Sequence, residues 1–240
     1  MTLVLVGIGA DSRNTSNCPP VFEDGSFEYI PIPEQHETVE RATFASEGFD
    51  EYLNYVVYDG KETDSLDRVA IHHDPNFEEM TFGDPGKSRS KLISLEEDDI
   101  LAFYSGLTPP RQSKPKHRFL IGYFAVDRVI DFNSLERKML EHEIETNKEN
   151  AHIKRYRQNN DPRHLSDLVI VQGKEPGGLL DKAIKLSGGR PDAPNYYLSE
   201  RWLDMWGPST EYLGGFKPVI KSDITKETFL ESIRHEDADR

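Results

Sequence analysis

Cysteine is nearly absent: Cys18 is the single one in 240 residues. One thiol excludes an intrachain disulfide framework and a structural zinc site built on cysteines. Long apolar runs are missing too. No stretch approaches the roughly 18 apolar residues that a membrane-spanning helix needs. The apolar opening, Met1 to Ala10, has no basic segment before it and reaches Asp11 and Arg13 too soon for a secretory leader. The expectation is a cytoplasmic protein with no membrane partner. Repeats and low-complexity tracts are lacking as well. Positive charge is scarce at one end: residues 1–80 hold 17 acidic and 4 basic residues, whereas the rest holds 26 and 25. The net charge of −14 opposes indiscriminate binding to duplex DNA.

The composition that remains is globular, with 36% hydrophobic and 30% charged residues. The length suits a single domain over 1–240, with an acidic third (1–80) and a β-hairpin and helical remainder (81–240). Three basic clusters stand in that remainder. They are Lys87, Arg89 and Lys91; then Arg111, Lys114, Lys116 and Arg118; then Lys154, Arg155, Arg157 and Arg163. Each reads either as solvated loop or helix end, or as a local face for one polyanion. The second cluster has no acid inside it and is the candidate nucleic-acid-facing set.

The apolar run Leu3 to Val6 reads as a buried strand within 2–7. Shorter strands are expected over 27–32, 53–58 and 69–73. The clearest β signal is 100–104 and 118–130, an antiparallel hairpin with a long Pro-rich tip. Gly122 inside its second strand predicts a bulge or a close backbone approach. A helix is predicted from a Ser134 cap towards Arg157, broken by Asn159-Asn160-Asp161-Pro162. A buried strand over 167–172 follows, then helices over 179–186, 199–206 and 225–233. Strands first and mixed elements later predict an α+β fold, a mixed sheet or partly open β-barrel with flanking helices.

Several motifs carry possible chemistry. Gly7 and Gly9 follow the first strand, but the third glycine of a dinucleotide fingerprint is absent, since Ser12 stands there. What remains is a turn whose NH groups would approach a ligand, with Asp11 facing it. Lys174 with Gly177 and Gly178, between a predicted strand and a predicted helix, suggests a phosphate site at a helix N-terminus. His72 and Asp74 share one face of a strand end. With His152, Asp11 or Asp24 brought near, they would suit acid–base chemistry, and two imidazoles with a carboxylate would suit a transition metal. The spacing matches no established metal signature, so no metal ligands and no cofactor are assigned. Phe103, Tyr104, Phe119, Tyr123 and Phe124 read as core, or as a base-stacking platform beside the Arg111 to Arg118 loop.

The run from Pro20 to Glu34, Pro-Val-Phe-Glu-Asp-Gly-Ser-Phe-Glu-Tyr-Ile-Pro-Ile-Pro-Glu, resembles the opening of the nucleotide modification associated domain proteins of the third type. Gly9-Ala10-Asp11, His72 to Phe77, Asp99 to Leu107, Asn150-Ala151-His152 and Leu179 to Ser187 are similar to that family as well. The resemblance implies a part in systems that make or handle modified DNA bases. The strand ending in Phe103-Tyr104, followed by Phe119 to Val129, is similar in style to the barrel hairpin of PUA- and EVE-like modified-base readers. Two readings stand. One is a protein that handles a nucleotide or modified base, with Asp11, Asp24, His72, Asp74 and His152 as catalytic candidates and Gly7, Gly9, Lys174, Gly177 and Gly178 holding phosphate. The other is a non-catalytic reader or a protein adaptor of such a system.

Overall fold

In the computed structural model, which describes residues 2–10, 18–53, 66, 68–86, 88–110, 117–189, 195–214 and 219–238, the opening apolar run is strand β1, Leu3–Gly7. Every one of its residues from Leu3 to Val6 is buried, because both faces of its sheet are covered. The other strands are β2 (Ile32–Pro33), β3 (Ile71–His72), β4 (Thr81–Asp84), β5 (Ile100–Leu107), β6 (His117–Asp131), β7 (Val169–Lys185) and β8 (Val219–Ser222). Six form one sheet in the order β4-β7-β6-β5-β1-β8, curled into a mixed half-barrel. Only the β1–β5 pairing is parallel. β2 and β3 make a separate antiparallel pair. With its flanking helices this is an α+β fold, as expected.

The α-helices whose bounds lie among the described residues are α1 (Arg89–Leu92), α2 (Arg137–Thr146), α3 (Ala151–Asn159), α4 (Glu200–Trp206) and α5 (Lys226–Ala238). α4 and α5 cover one sheet face, where Trp202, Trp206 and Phe229 pack on Leu3, Leu5 and Tyr104. On the other face Val4, Val6, Phe103 and Phe124 pack against Phe77, Phe82 and Leu92. A satellite cluster of Ile30, Phe44 and Ile71 lies under the β2–β3 pair. A fourth cluster, with Ile130, Phe132, Ile170 and Ile153, fixes α3 to the far end of the β6–β7 ladder. No helix among the described residues is long and apolar enough to cross a membrane.

The hairpin expected over 100–130 is present, as β5 and β6. Gly122 is the predicted close approach: a Cβ there would meet Phe77 Cε1 at 2.5 Å and the Gly178 carbonyl at 2.7 Å. The register of β6 slips between Leu120 and Gly122, as a bulge requires. The helix expected over 134–157 is two helices. Ser134 ends a 3-10 turn, and the chain re-caps at Asn150, whose side chain accepts the His152 N–H. Asn160 then stops α3 in the left-handed region, with Pro162 opening a 3-10 turn.

The helix expected over 179–186 does not form. That segment is the second half of β7, although Leu180, Ala183 and Ile184 carry helical spacing. The fifteen-residue β6 presents a row of backbone groups that need partners, and residues 174–185 supply them. The mismatch is absorbed by a bulge in which five steps of β7, Leu179 to Ile184, face two steps of β6. Long-range pairing here overrides local periodicity. The strand expected over 27–32 is reduced to a bridge between Phe27 and Val21, with β2 starting only at Ile32. The strand expected over 53–58 falls, beyond Leu53, outside the described residues.

Candidate functional site

β3 ends at His72, and the chain turns at once through Asp74 towards β4. The Asp74 N–H donates to the His72 carbonyl at 2.9 Å, which holds the two side chains on one side. β2 lies alongside, with Ile32 opposite His72, and brings Glu34 to the end of the pair. α3 approaches from the other side with His152 and Arg155 three residues apart on one helical face. Three stretches of sequence thus meet at one buried point.

The geometry is tight. Asp74 Oδ1 accepts the Gly83 N–H at 2.8 Å, while Oδ2 lies 3.3 Å from His152 Nε2 and 4.0 Å from His72 Nε2. The two imidazole rings stand edge to face, with centroids 5.0 Å apart. Glu34 Oε2 is 3.0 Å from His72 Nδ1, and both Glu34 oxygens accept the Arg155 Nε–H at 2.9 Å. Glu34 also accepts the N–H groups of Gln35 and His36 at 2.7 and 2.8 Å. The side chains of His72, Asp74, His152 and Glu34 are only 3–7% exposed.

Proton positions follow from these partners. A buried carboxylate at 3.0 Å from a ring nitrogen needs a proton between them, so His72 carries its proton on Nδ1 and donates it to Glu34, while Arg155 Nη2, 3.2 Å from the same nitrogen, donates to Glu34 Oε1 at 2.8 Å instead. The Nε2 lone pair of His72 then faces Asp74. Arg155 Nη1 points at His152 Nδ1 from 3.3 Å, so that nitrogen accepts and His152 Nε2–H donates to Asp74. Burial lowers the pKa of His72 to about 4, against the raising effect of Glu34, so the ring is neutral near pH 7. Burial alone would lift the Glu34 carboxyl, but hydrogen bonds from His72 and Arg155 outweigh it and hold the group well below the usual carboxylate range.

Of the residues expected to form a site, His72, Asp74 and His152 converge. Asp24 does not join them: it is exposed on a turn, where it accepts the N–H and Oγ–H of Ser26 at 3.0 and 2.6 Å. Lys174 is neutralised by Glu97 at 2.6 Å and Asp98 at 3.4 Å. Lys174, Gly177 and Gly178 lie within β7, so the helix N-terminus on which their phosphate role was built is not there. Gly7 is paired with Tyr104 in the sheet, and the turn at Gly9 is closed by the Tyr29 ring, 2.7 Å from where a Cβ would stand. Asp11 lies outside the described residues, as do Arg111, Lys114 and Lys116. Arg118, grouped with them as nucleic-acid-facing, is buried under the Tyr196 ring at 4.9 Å. Phe103, Tyr104, Phe119 and Phe124 are core residues, as their strand spacing allows.

Glu34 and Arg155 escaped the sequence reading as functional residues. Arg155 stood in a basic cluster, but its i, i+3 spacing to His152 on a helix was a usable signal. Gly83 was missed as well. A Cβ at Gly83 would lie 2.6 Å from His152 Cδ2, so only glycine lets the ring reach Asp74.

Next to the site, behind Thr81 and Asn150, is a polar cleft of about 410 Å³. Asn150 links the two, capping His152 and donating to Thr81 Oγ1 at 3.4 Å. Lys154 on the cleft wall is clamped by Glu40 at 2.7 Å and Glu149 at 2.9 Å. Burial opposes the charge on both Glu40 and Lys154, but their mutual hydrogen bond lowers the Glu40 pKa and raises that of Lys154. The depressed Glu40 contributes stability above its ordinary value of 4.5 that is lost as pH falls through its folded value. The raised Lys154 contributes stability below 10.5 that is lost only as pH rises through its folded value. Lys154→Met is therefore expected to lower the melting temperature by a constant gap between neutral pH and pH 9. That gap should close in acid, below pH 4.5. Melting curves across this range check it, and a gap as wide in acid as at neutral pH contradicts it.

In comparison with family models, the model described as nucleotide modification associated domain 3 matches residues 2–230. No curated protein matches the chain, and no solved structure does.

Proposed function

Because this chain belongs to the nucleotide modification associated domain 3 family, we propose that it is an enzyme acting on a nucleotide or modified nucleobase, in a DNA base modification system, with His72, Asp74 and His152 as its reaction centre. The observation that carries this reading is the convergence of those three side chains, Asp74 and His152 being 78 positions apart, in a nearly water-free setting. A protein that needs only stability has little use for it, since burying polar and ionic groups usually costs more than packing apolar ones. His72 Nε2 is a free acceptor and His152 Nε2 a donor, set on either side of a carboxylate. That pairing suits removal of a proton from one atom of a substrate and delivery to another. Glu34 and Arg155 are positioning residues, which fix the tautomers of both rings.

The adjoining cleft gives the substrate class more shape. Its volume is within the usual range for a small-molecule site. Glu40, Glu78, Glu79 and Glu149 outnumber Lys148 and Lys154 on its walls. Such a lining repels phosphate and favours the amino, amide and hydroxyl donors of a base and sugar. The base or nucleoside portion enters and the phosphate remains outside. Burial of Phe103, Tyr104 and Phe124 counts against the reader alternative, which keeps only the half-buried Tyr123 of its stacking platform among the described rings.

Incubation of the full chain with nucleosides, nucleotides and short single strands carrying modified bases, followed by mass spectrometry, tests the reading. The expected result is a mass-shifted base or nucleoside, with modest dependence on salt. Binding without conversion, weakening steeply with salt, would instead mark a reader that contacts several phosphates.

A further inference from the structure

We propose that His72, Asp74 and His152 bind one divalent transition-metal ion, through the Nε2 atoms of both histidines and Oδ2 of Asp74. The proposal rests on the reading above for the identity of the site and changes the roles within it: with the ion bound, both Nε2 atoms are ligands, and the proton transfers would fall to water that the ion acidifies.

The donor set is the first argument. Two imidazoles and one carboxylate suit zinc, iron(II) and their neighbours, and three protein ligands leave positions for water or substrate. Magnesium and calcium prefer all-oxygen shells. Spacing is the second argument. One ligand atom from each residue lies within 4.8 Å of the others. Metal–ligand bonds of about 2.1 Å hold tetrahedral donors roughly 3.4 Å apart. The His152–Asp74 edge already measures 3.3 Å and the His72–Asp74 edge 4.0 Å. Small rotations of His72 close the rest.

The third argument comes from what faces what. With the His72 proton on Nδ1, its Nε2 lone pair and the charge on Asp74 Oδ2 lie 4.0 Å apart in a buried place with no proton to share. Two acceptors facing each other are unfavourable, and a cation between them relieves the conflict. The shell behind the ligands is built as metal sites require. Glu34 accepts the Nδ1–H of His72, and the Gly83 N–H holds Asp74 Oδ1, which leaves Oδ2 as the coordinating oxygen. Arg155 cancels the charge of Glu34, so Asp74 supplies the net negative charge at the centre. Loading does need one change: His152 must take the other tautomer, with its proton on Nδ1, and Arg155 Nη1 must leave that nitrogen. At 3.3 Å this contact is longer than the Arg155–Glu34 bonds of 2.8–2.9 Å, which stay.

The test uses the full chain stripped with a chelator. Titration with zinc is followed by calorimetry, and with cobalt(II) by visible absorption. The expected result is one ion per chain, a cobalt spectrum of nitrogen and oxygen ligation, and no comparable binding of magnesium. Asp74→Asn and His152→Gln should each weaken zinc binding by about 100-fold or more, and Glu34→Gln by about 10–100-fold. Asp74→Asn keeps the size of the side chain and its Gly83 contact, so it serves if the histidine variant does not fold. No zinc or cobalt binding by the wild-type chain, or undiminished binding by both ligand variants, overturns the proposal. One ion per chain without any converted nucleotide would keep the metal site and remove the nucleotide reaction, so the two failures are distinguishable.

Discussion

Glu34→Ala is expected to lower stability by about 3–5 kcal/mol, a fall in melting temperature of roughly 10 °C for a chain of this size. The cause is what the carboxylate leaves behind. Its oxygens accept from Arg155, from His72 Nδ1 and from two consecutive backbone N–H groups. Removing it strands a guanidinium whose side chain is 12% exposed beside two imidazoles, and takes the side-chain acceptor from the N–H groups of Gln35 and His36. Breaking one member of a buried ion pair costs far more than replacing both. Glu34→Gln with Arg155→Met should therefore recover most of the loss, and the double-mutant cycle gives the coupling directly. A Glu34→Ala chain that melts within about 2 °C of the wild type would mean that the pair is solvated and not the structural anchor of the site.

The largest expected effect on activity is at His152. His152→Gln should reduce conversion of the nucleotide substrate by about 10²–10⁴-fold, the range that a positioned proton donor or acceptor supplies. Stability should change by only about 1–2 kcal/mol, because the glutamine keeps a polar group near Asp74. Gly83→Ala makes the same point without touching a reacting group. Its methyl would lie 2.6 Å from His152 Cδ2 and 3.2 Å from Asn150 Oδ1, so the ring must move. A displacement of this kind costs roughly 100-fold when chemistry depends on the ring's position. Rates and melting curves for both variants decide it. Full activity in Gly83→Ala with an unchanged fold would show that the precise place of His152 does not matter.

Much of the site was legible in pieces. His72 and Asp74 declared themselves by alternation at a strand end, and His152 by the likeness of Asn150-Ala151-His152 to the family. Their meeting could not be read, since it depends on α3 folding back onto the end of the β6–β7 ladder through the Ile153, Ile130 and Ile170 cluster. Asp24 was drawn into the same pocket by residue type, and Lys174 by the helix N-terminus expected after its glycines. Asp24 instead closes a turn with Ser26, and Lys174 pairs with Glu97 and Asp98. An acid or a lysine near a glycine carries no information about which way the turn will face.

The sequence by itself determined the α+β class, the buried first strand, the central hairpin with its Gly122 approach, and the absence of disulfides and long apolar helices. These depend on local pattern and composition, which act over a few residues. Tertiary structure alone decided that residues 179–185 are strand and that Arg118 is buried. It also decided that Glu34 and Arg155 stand behind two histidines. Each of those outcomes is set by a partner distant in the chain: the unpaired edge of β6, the ring of Tyr196, the end of β2 against the face of α3. A backbone group or a buried charge must find its complement wherever the fold places one, and the sequence does not state the distance at which it will be found.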